Sequence, residues 1–260
     1  MDERLESFDA PIHALVQGAS RGIGLGFARA LSEDPRVEEL IVTSRTPDSS
    51  DGLDELKREH PDRIHLVSLD VSREDSVRRG ARRVGEHLQD LHLLLNVSGL
   101  LHDDSEGMHP EKSLDDVDPE HLHRSFAVNS IGPLLVAKHF APFVRHGERA
   151  VFANMSARVG SIGDNFKGGW YGYRASKAAQ NQFTRTLAVE MGRKAPETIC
   201  VALHPGTVDT DLSDPFQSHV PDEQLFTVRE SVAHLLRVID GLSRSDSGEF
   251  FDWAGEPIEW

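Results

Sequence analysis

Short continuous runs of apolar residues recur along the chain, separated by stretches in which apolar side chains return every three or four positions. The runs Ile12–Gln17, Leu40–Ser44, Ile64–Leu69, Leu91–Val97, Ala150–Met155 and Ile199–Leu203 predict strands, with a seventh at Glu249–Phe251. Several are unbroken in Leu, Ile and Val, the pattern of strands buried on both faces of a parallel sheet. Between them, Ile23–Leu31, Ser76–Leu88, Phe126–Phe143 and Ser176–Met191 carry helical spacing. This alternation predicts an α/β fold: a doubly wound parallel sheet of about seven strands with helices on both faces. Thr46–Gly52 reads as a surface loop. His102–Asp118 and Ser213–Phe226 are longer irregular segments, suited to a flap beside a ligand site. No internal repeat or composition break divides the chain, so a single domain over 1–260 is expected.

Charge narrows the partners. The 28 Lys and Arg residues face 43 Asp and Glu, a formal balance of −15. Nucleic acid and anionic membrane surfaces repel such a chain on average. Cys200 is the one cysteine, which excludes an internal disulfide and a cysteine metal cluster. The 14 histidines are scattered, and His121 and His123 diverge on a helix, so no metal site is expected. The first residues lack a basic start followed by an apolar run, and no stretch approaches the ~18 apolar residues of a membrane span. The expectation is a cytoplasmic protein without a membrane partner.

The first strand runs into Gly18-Ala19-Ser20-Arg21-Gly22-Ile23-Gly24 and then a helical pattern. Gly18 suits the tight turn, Gly22 a close approach of backbone to a pyrophosphate, and Gly24 close packing of helix on sheet. Gly18, Ser20, Arg21, Gly22, Ile23 and Gly24 are therefore the expected dinucleotide-binding positions of a Rossmann-like fold. The second strand ends in Thr43-Ser44-Arg45, with an arginine where an NAD-selecting acid is usual. Arg45, with Arg21, suits a 2′-phosphate through bidentate hydrogen bonds, which points to NADP.

Tyr173-Arg174-Ala175-Ser176-Lys177 opens a helical segment. Residues four apart share a helix face, so Tyr173 and Lys177 are predicted to stand side by side. An adjacent ammonium is expected to lower the phenol's pKa from about 10, making a general acid or base for a carbonyl and an alcohol.

The glycine turn and this pair together resemble the short-chain dehydrogenase/reductase family, and further matches follow in order along nearly the whole chain. Asp70-Val71 resembles the pair that touches the adenine. Asn96-Val97-Ser98-Gly99 resembles the family's Asn-Asn-Ala-Gly, which implies cofactor contacts at Asn96, Ser98 and Gly99. Asn129 falls in the helix where the family keeps a catalytic Asn. His204-Pro205-Gly206-Thr207-Val208-Asp209-Thr210 resembles the segment closing over the nicotinamide, implying contacts from Pro205, Gly206, Val208 and Thr210. The ending Gly248–Trp260 resembles the C-factor-like and sniffer-type carbonyl reductases.

The resemblance implies an NADP-dependent reduction of a small-molecule carbonyl, or the reverse oxidation. Tyr173 gives the proton, Lys177 holds the nicotinamide ribose and tunes Tyr173, and Asn129 anchors a water leading to solvent. The family's serine after strand five is displaced. In Asn154-Met155-Ser156-Ala157-Arg158-Val159-Gly160, Ala157 falls in the serine column and Ser156 precedes it. Ser156 is taken as the hydroxyl donor, with Ser161 as the alternative. A simple strand aims Ser156 away from the tyrosine, so a bulge or turn must rotate it back. The stretch Asp164–Trp170 is inserted, and Trp170, three residues before Tyr173, either lines the substrate pocket or serves the core or an interface. The displaced serine keeps open a weakly catalytic or non-catalytic NADP-binding regulator, and an epimerase or dehydratase is a third reading. The family often pairs through the helix of Tyr173 and Lys177, as a homodimer or homotetramer, and monomers occur among its carbonyl reductases.

Overall fold

In a computed structural model the chain is described over residues 5–9, 11–219, 221 and 224–260. β1 (Ile12–Gln17), β2 (Val37–Ser44), β3 (Ile64–Ser68), β4 (Leu93–Asn96), β5 (Ala150–Met155), β6 (Thr198–His204) and β9 (Phe250–Asp252) form one sheet. Its order is β3-β2-β1-β4-β5-β6-β9, and every pairing is parallel. Two short strands, β7 (Thr207–Val208) and β8 (Leu225–Phe226), pair separately above it.

Alternation along the strands sorts the apolar residues into two cores. Ala14, Val16, Leu93, Leu95, Val151 and Val201 face α1 (Gly22–Glu33), α2 (Asp51–Glu59) and α7 (Val228–Gly241). Leu15, Leu94, Phe152 and Cys200 face α3 (Glu74–Val84), α5 (Gly132–Phe140) and α6 (Tyr171–Lys194). Burial on both faces is why these strands read as unbroken apolar runs. Cys200 is among the fully buried residues, and burial pushes its thiol up to about 12.

Three segments differ from the sequence reading. Thr46–Gly52 is not a plain loop: Pro47–Ser49 makes a 3-10 turn and α2 begins at Asp51, anchored by only Leu53 and Leu56. α7 arises within a stretch without a predicted element, nucleated by a capping box between Thr227 and Glu230. The helix expected over Phe126–Phe143 is interrupted. α4 (Pro119–Phe126) passes into a π-helical turn at Ala127–Ile131 before α5. Pro133 has no N–H to offer the Asn129 carbonyl, so the wider turn takes over, and Gly132 N–H donates to Ala127 O.

The strand order changes direction between β1 and β4, the point at which an open α/β sheet takes its ligand, in the crevice outside the carboxyl ends of its strands. At the far edge, the chain end folds back along β9, with Ile258 N–H donating to Phe250 O at 2.7 Å. No described helix is long and apolar enough to cross a membrane.

Candidate active site

The glycine turn is held by β2: the N–H groups of Gly18 and Ala19 both donate to Thr43 O at 2.9 Å. Gly18 has φ +86°, and a Cβ there would lie 2.6 Å from Ser98 N. A Cβ on Gly24 would lie 2.0 Å from Gly18 O, so only glycine lets α1 start this close to the strand. Gly22, at φ +53°, faces Thr210. Ser20 O accepts from Ser50 Oγ at 2.9 Å, and Ile23 packs on the first core. Arg45 stands exposed past the end of β2. Arg21 instead reaches across the crevice to Asp211 at 2.7 Å, both side chains being largely exposed.

Asp70 Oδ1 accepts from Ser72 N and Oγ, and buried Val71 lies against Gly132. The side chain of Asn96 turns inward and donates to Asn154 Oδ1 at 2.8 Å. Ser98 Oγ donates to Gln17 Oε1 at 2.8 Å. Gly99 opens space beside Lys177 Nζ and Asn129 Oδ1, each 3.8 Å from where its Cβ would be.

Tyr173 and Lys177 do share a face of α6, with Nζ 5.9 Å from the phenol ring centroid. Both are buried. Lys177 Nζ donates to Met155 O at 2.7 Å and Gln180 Oε1 at 3.0 Å. Burial lowers Lys177 to about 7 and raises the Tyr173 phenol well above its ordinary range. The sequence reading had the ammonium pulling the phenol down. In this cleft desolvation is the larger effect, and it favours the neutral form of each group. Asn129, in the π-helical turn, accepts from Leu100 N–H at 2.7 Å and donates to Leu100 O at 2.8 Å and Ser176 Oγ at 3.0 Å. It ties the end of β4 to the helix of the Tyr/Lys pair.

The two candidate serines differ: the Ser156 hydroxyl donates within the protein, and the Ser161 hydroxyl accepts there. Ser156 N–H continues the ladder to Leu203 O, so no bulge rotates the residue. Its hydroxyl donates to Asn181 Oδ1 at 2.6 Å in the interior. Ala157 follows in extended conformation, φ −147° and ψ 145°, which directs its methyl to the opposite side. Ser161 Oγ accepts from Asp164 N–H at 3.1 Å and stabilises the turn after β5.

Pro205 O accepts from buried Ser231 Oγ at 2.8 Å. Gly206, at φ +80°, is required because a Cβ there would lie 2.7 Å from the Phe226 ring. Val208 O accepts from Ser213 Oγ, and Thr210 N–H donates to the same hydroxyl at 3.3 Å, which closes a tight turn over 208–213.

Trp170 lies against Tyr173. It has φ +53°, the one non-glycine residue with positive φ among those described. Its ring meets Tyr173 edge-on at 6.2 Å and Phe216 at 4.8 Å. Phe216 and His102 also make an edge contact at 6.1 Å, and His102 Nε2 lies 3.1 Å from Asp211 O. His102 and Phe216 thus meet, and Trp170 lies between Phe216 and Tyr173. Phe216, His102 and Asp211 carry no local sequence signal, because their contacts join loops far apart in the chain.

Fold and site together define a Rossmann-type α/β protein with a buried tyrosine–lysine pair at the carboxyl edge of its sheet. The chain belongs to the short chain dehydrogenase family, whose model matches residues 12–221, and is an oxidoreductase of that family. It is similar to C-signal of Myxococcus xanthus, 38% identical over 149 residues, which are 57% of this chain and 84% of that protein. Among solved structures it is similar to the NADPH-bound carbonyl reductase from chicken fatty liver, with a TM-score of 0.86, 31% identity, and coverage of 99% of this chain and 98% of that one. It is also similar to the carbonyl reductase Sniffer of D. melanogaster, with a TM-score of 0.83, 26% identity, and coverage of 97% and 100%.

Proposed function

We propose that this protein is an NADP(H)-dependent carbonyl reductase acting on a small-molecule substrate. The observation that carries the reading is the buried Tyr173–Lys177 pair, set under Asn129 beside a glycine turn that admits no side chain. The residues fit a dinucleotide. Gly18 and Gly24 leave the backbone bare, and Thr43 Oγ1, Ser44 Oγ and Asn96 Oδ1 are buried without a partner at the ends of β2 and β4. Gly18, Ser20, Arg21, Gly22, Ile23 and Gly24 would hold the pyrophosphate, Arg45 the 2′-phosphate, and Asp70 and Val71 the adenine. Ser98, Gly99, Lys177, Pro205, Gly206, Val208 and Thr210 would surround the nicotinamide riboside. The bound cofactor supplies the hydride.

This chain's own residues manage the proton. Burial keeps the Tyr173 phenol protonated at neutral pH, so it is ready to give its proton to the oxygen of a carbonyl as that oxygen gains charge. Lys177, its pKa lowered to about 7 by burial, replaces the lost proton, and Asn129 fixes the turn through which solvent protons arrive. Trp170 packs against Tyr173 and is backed by Phe216.

A second reading is favoured by one observation. Because Ser156 spends its hydroxyl on Asn181, that residue offers the substrate oxygen no donor, and a slow NADP-binding regulator fits such a site. Calorimetric binding of NADPH and NADH beside turnover of a reactive dicarbonyl separates the two. Tight NADPH binding with turnover supports the reductase, and tight binding without turnover supports the regulator. No binding of either nucleotide contradicts both.

A further inference from the structure

The loop 102–118 is rich in acids, and one differs from the rest in its surroundings. Asp104, Glu106, Asp115 and Asp116 are exposed, whereas Glu111 is 6% exposed. Both of its carboxylate oxygens lie 3.2 Å from Gly172 N, and its carbonyl oxygen accepts from Trp170 N–H at 2.6 Å. Glu111 therefore grips the first turn of α6 with side chain and backbone together.

α6 lacks these groups of its own. Its N-cap, Trp170, makes no side-chain cap, and its first turn contains no acid. Free N–H groups and a positive dipole end await an acceptor there. Gly172 explains itself by the same contact, since a Cβ on it would lie 2.9 Å from Glu111 Oε1 and 3.0 Å from Leu122 Cδ2. The loop that presents Glu111 is itself tied down, by the ion pair of Asp103 with Arg124 and by backbone bonds between Asp103 and Met108. The turn so gripped contains Tyr173, and the left-handed Trp170 beside it carries the ring that packs on Tyr173.

We propose that Glu111 is a positioning residue: by fixing Trp170 and Gly172 it holds the Tyr173 hydroxyl at the reacting oxygen. This rests on the reading of Tyr173 as proton donor. Burying a carboxylate against a single backbone donor is costly, and a reacting group displaced by about 1 Å loses roughly 100-fold in rate. The geometry links that cost to the placement of Tyr173.

The test combines kinetics with amide hydrogen exchange. Glu111→Ala is expected to lower kcat by at least ~10-fold while the Kd for NADPH stays within about two-fold. Glu111→Gln keeps an acceptor oxygen and is expected to restore kcat to within about three-fold of wild type. Gly172→Ala approaches from the helix side, displaces the carboxylate, and is expected to repeat the kcat-specific loss even if Glu111→Ala does not fold. Without substrate or cofactor, exchange at residues 170–174 is expected to quicken at least ~10-fold in Glu111→Ala. Wild-type kcat in Glu111→Ala or Gly172→Ala, a glutamine variant as slow as the alanine one, or unchanged exchange overturns the proposal. Because exchange is read without turnover, an inactive wild type contradicts only the reductase reading.

Discussion

Ser156 Oγ donates to Asn181 Oδ1 at 2.6 Å between the end of β5 and α6. A hydroxyl has one proton, and this one is used. The next residue, Ala157, has only a methyl to offer on the other side. Adding a donor there is expected to help. Ala157→Ser should raise kcat on an unactivated ketone by roughly 10- to 100-fold, within the range of a single oxyanion donor. Ser156→Ala should leave kcat within about two-fold and cost about 1–3 kcal/mol of stability, because a buried acceptor on Asn181 loses its partner. Steady-state kinetics and urea unfolding check both. A silent Ala157→Ser together with a Ser156→Ala variant that loses turnover would return the catalytic hydroxyl to Ser156.

The buried Lys177 makes stability depend on pH. Its folded pKa of about 7 lies below the ordinary lysine value of 10.5. Between those values the unfolded chain binds the extra proton, so this group's contribution to stability rises with pH across that window. Below about pH 7 its burial penalty is present in full, and above about pH 10.5 it is gone. Lys177→Met removes the titration. Thermal unfolding from pH 7 to 10 should show wild type gaining on the variant as pH rises. A constant difference across that range would show that Lys177 does not titrate there.

Cofactor choice is assigned to Arg45. Arg45→Ala is expected to weaken NADPH by roughly 10- to 100-fold and to leave NADH within about two-fold, since only the former carries the 2′-phosphate. Arg21 is shared with Asp211. Asp211→Asn should release it and tighten NADPH by a few-fold at low ionic strength. Calorimetric titration of both nucleotides decides, and an equal loss for NADPH and NADH in Arg45→Ala would contradict the assignment.

The strands were legible because burial on two faces leaves apolar runs, and β1 and β5 match their predicted limits to the residue. α6 was legible from its helical spacing, and the Tyr173–Lys177 interval puts both side chains on one face, but the face the helix buries is polar, with Ser176, Gln180, Asn181 and Thr184, while Ala175 is exposed. α2 was not legible, because two leucines suffice to seat it. α7 had a readable signal in Thr227 and Glu230 that went unused. The alternation rule had already set Ser156 against its assigned role, and the ladder bond to Leu203 resolves that conflict in favour of the rule. Glu111 was beyond reach of sequence: one acid among many in its loop, it acquires meaning only where the loop meets α6. The raised pKa of Tyr173 is hidden from sequence for a related reason. Spacing reveals the neighbouring ammonium, whereas the desolvation that outweighs it comes from segments far away in the chain.

Tyr173→Phe tests the central claim most directly. The substitution removes one hydroxyl and keeps the ring that packs against Trp170. NADPH-dependent reduction of a reactive dicarbonyl is expected to fall by roughly 10²- to 10⁴-fold, the range for loss of a positioned proton donor, with NADPH still bound at close to wild-type affinity. A variant that binds NADPH and reduces the dicarbonyl at close to the wild-type rate would contradict the account.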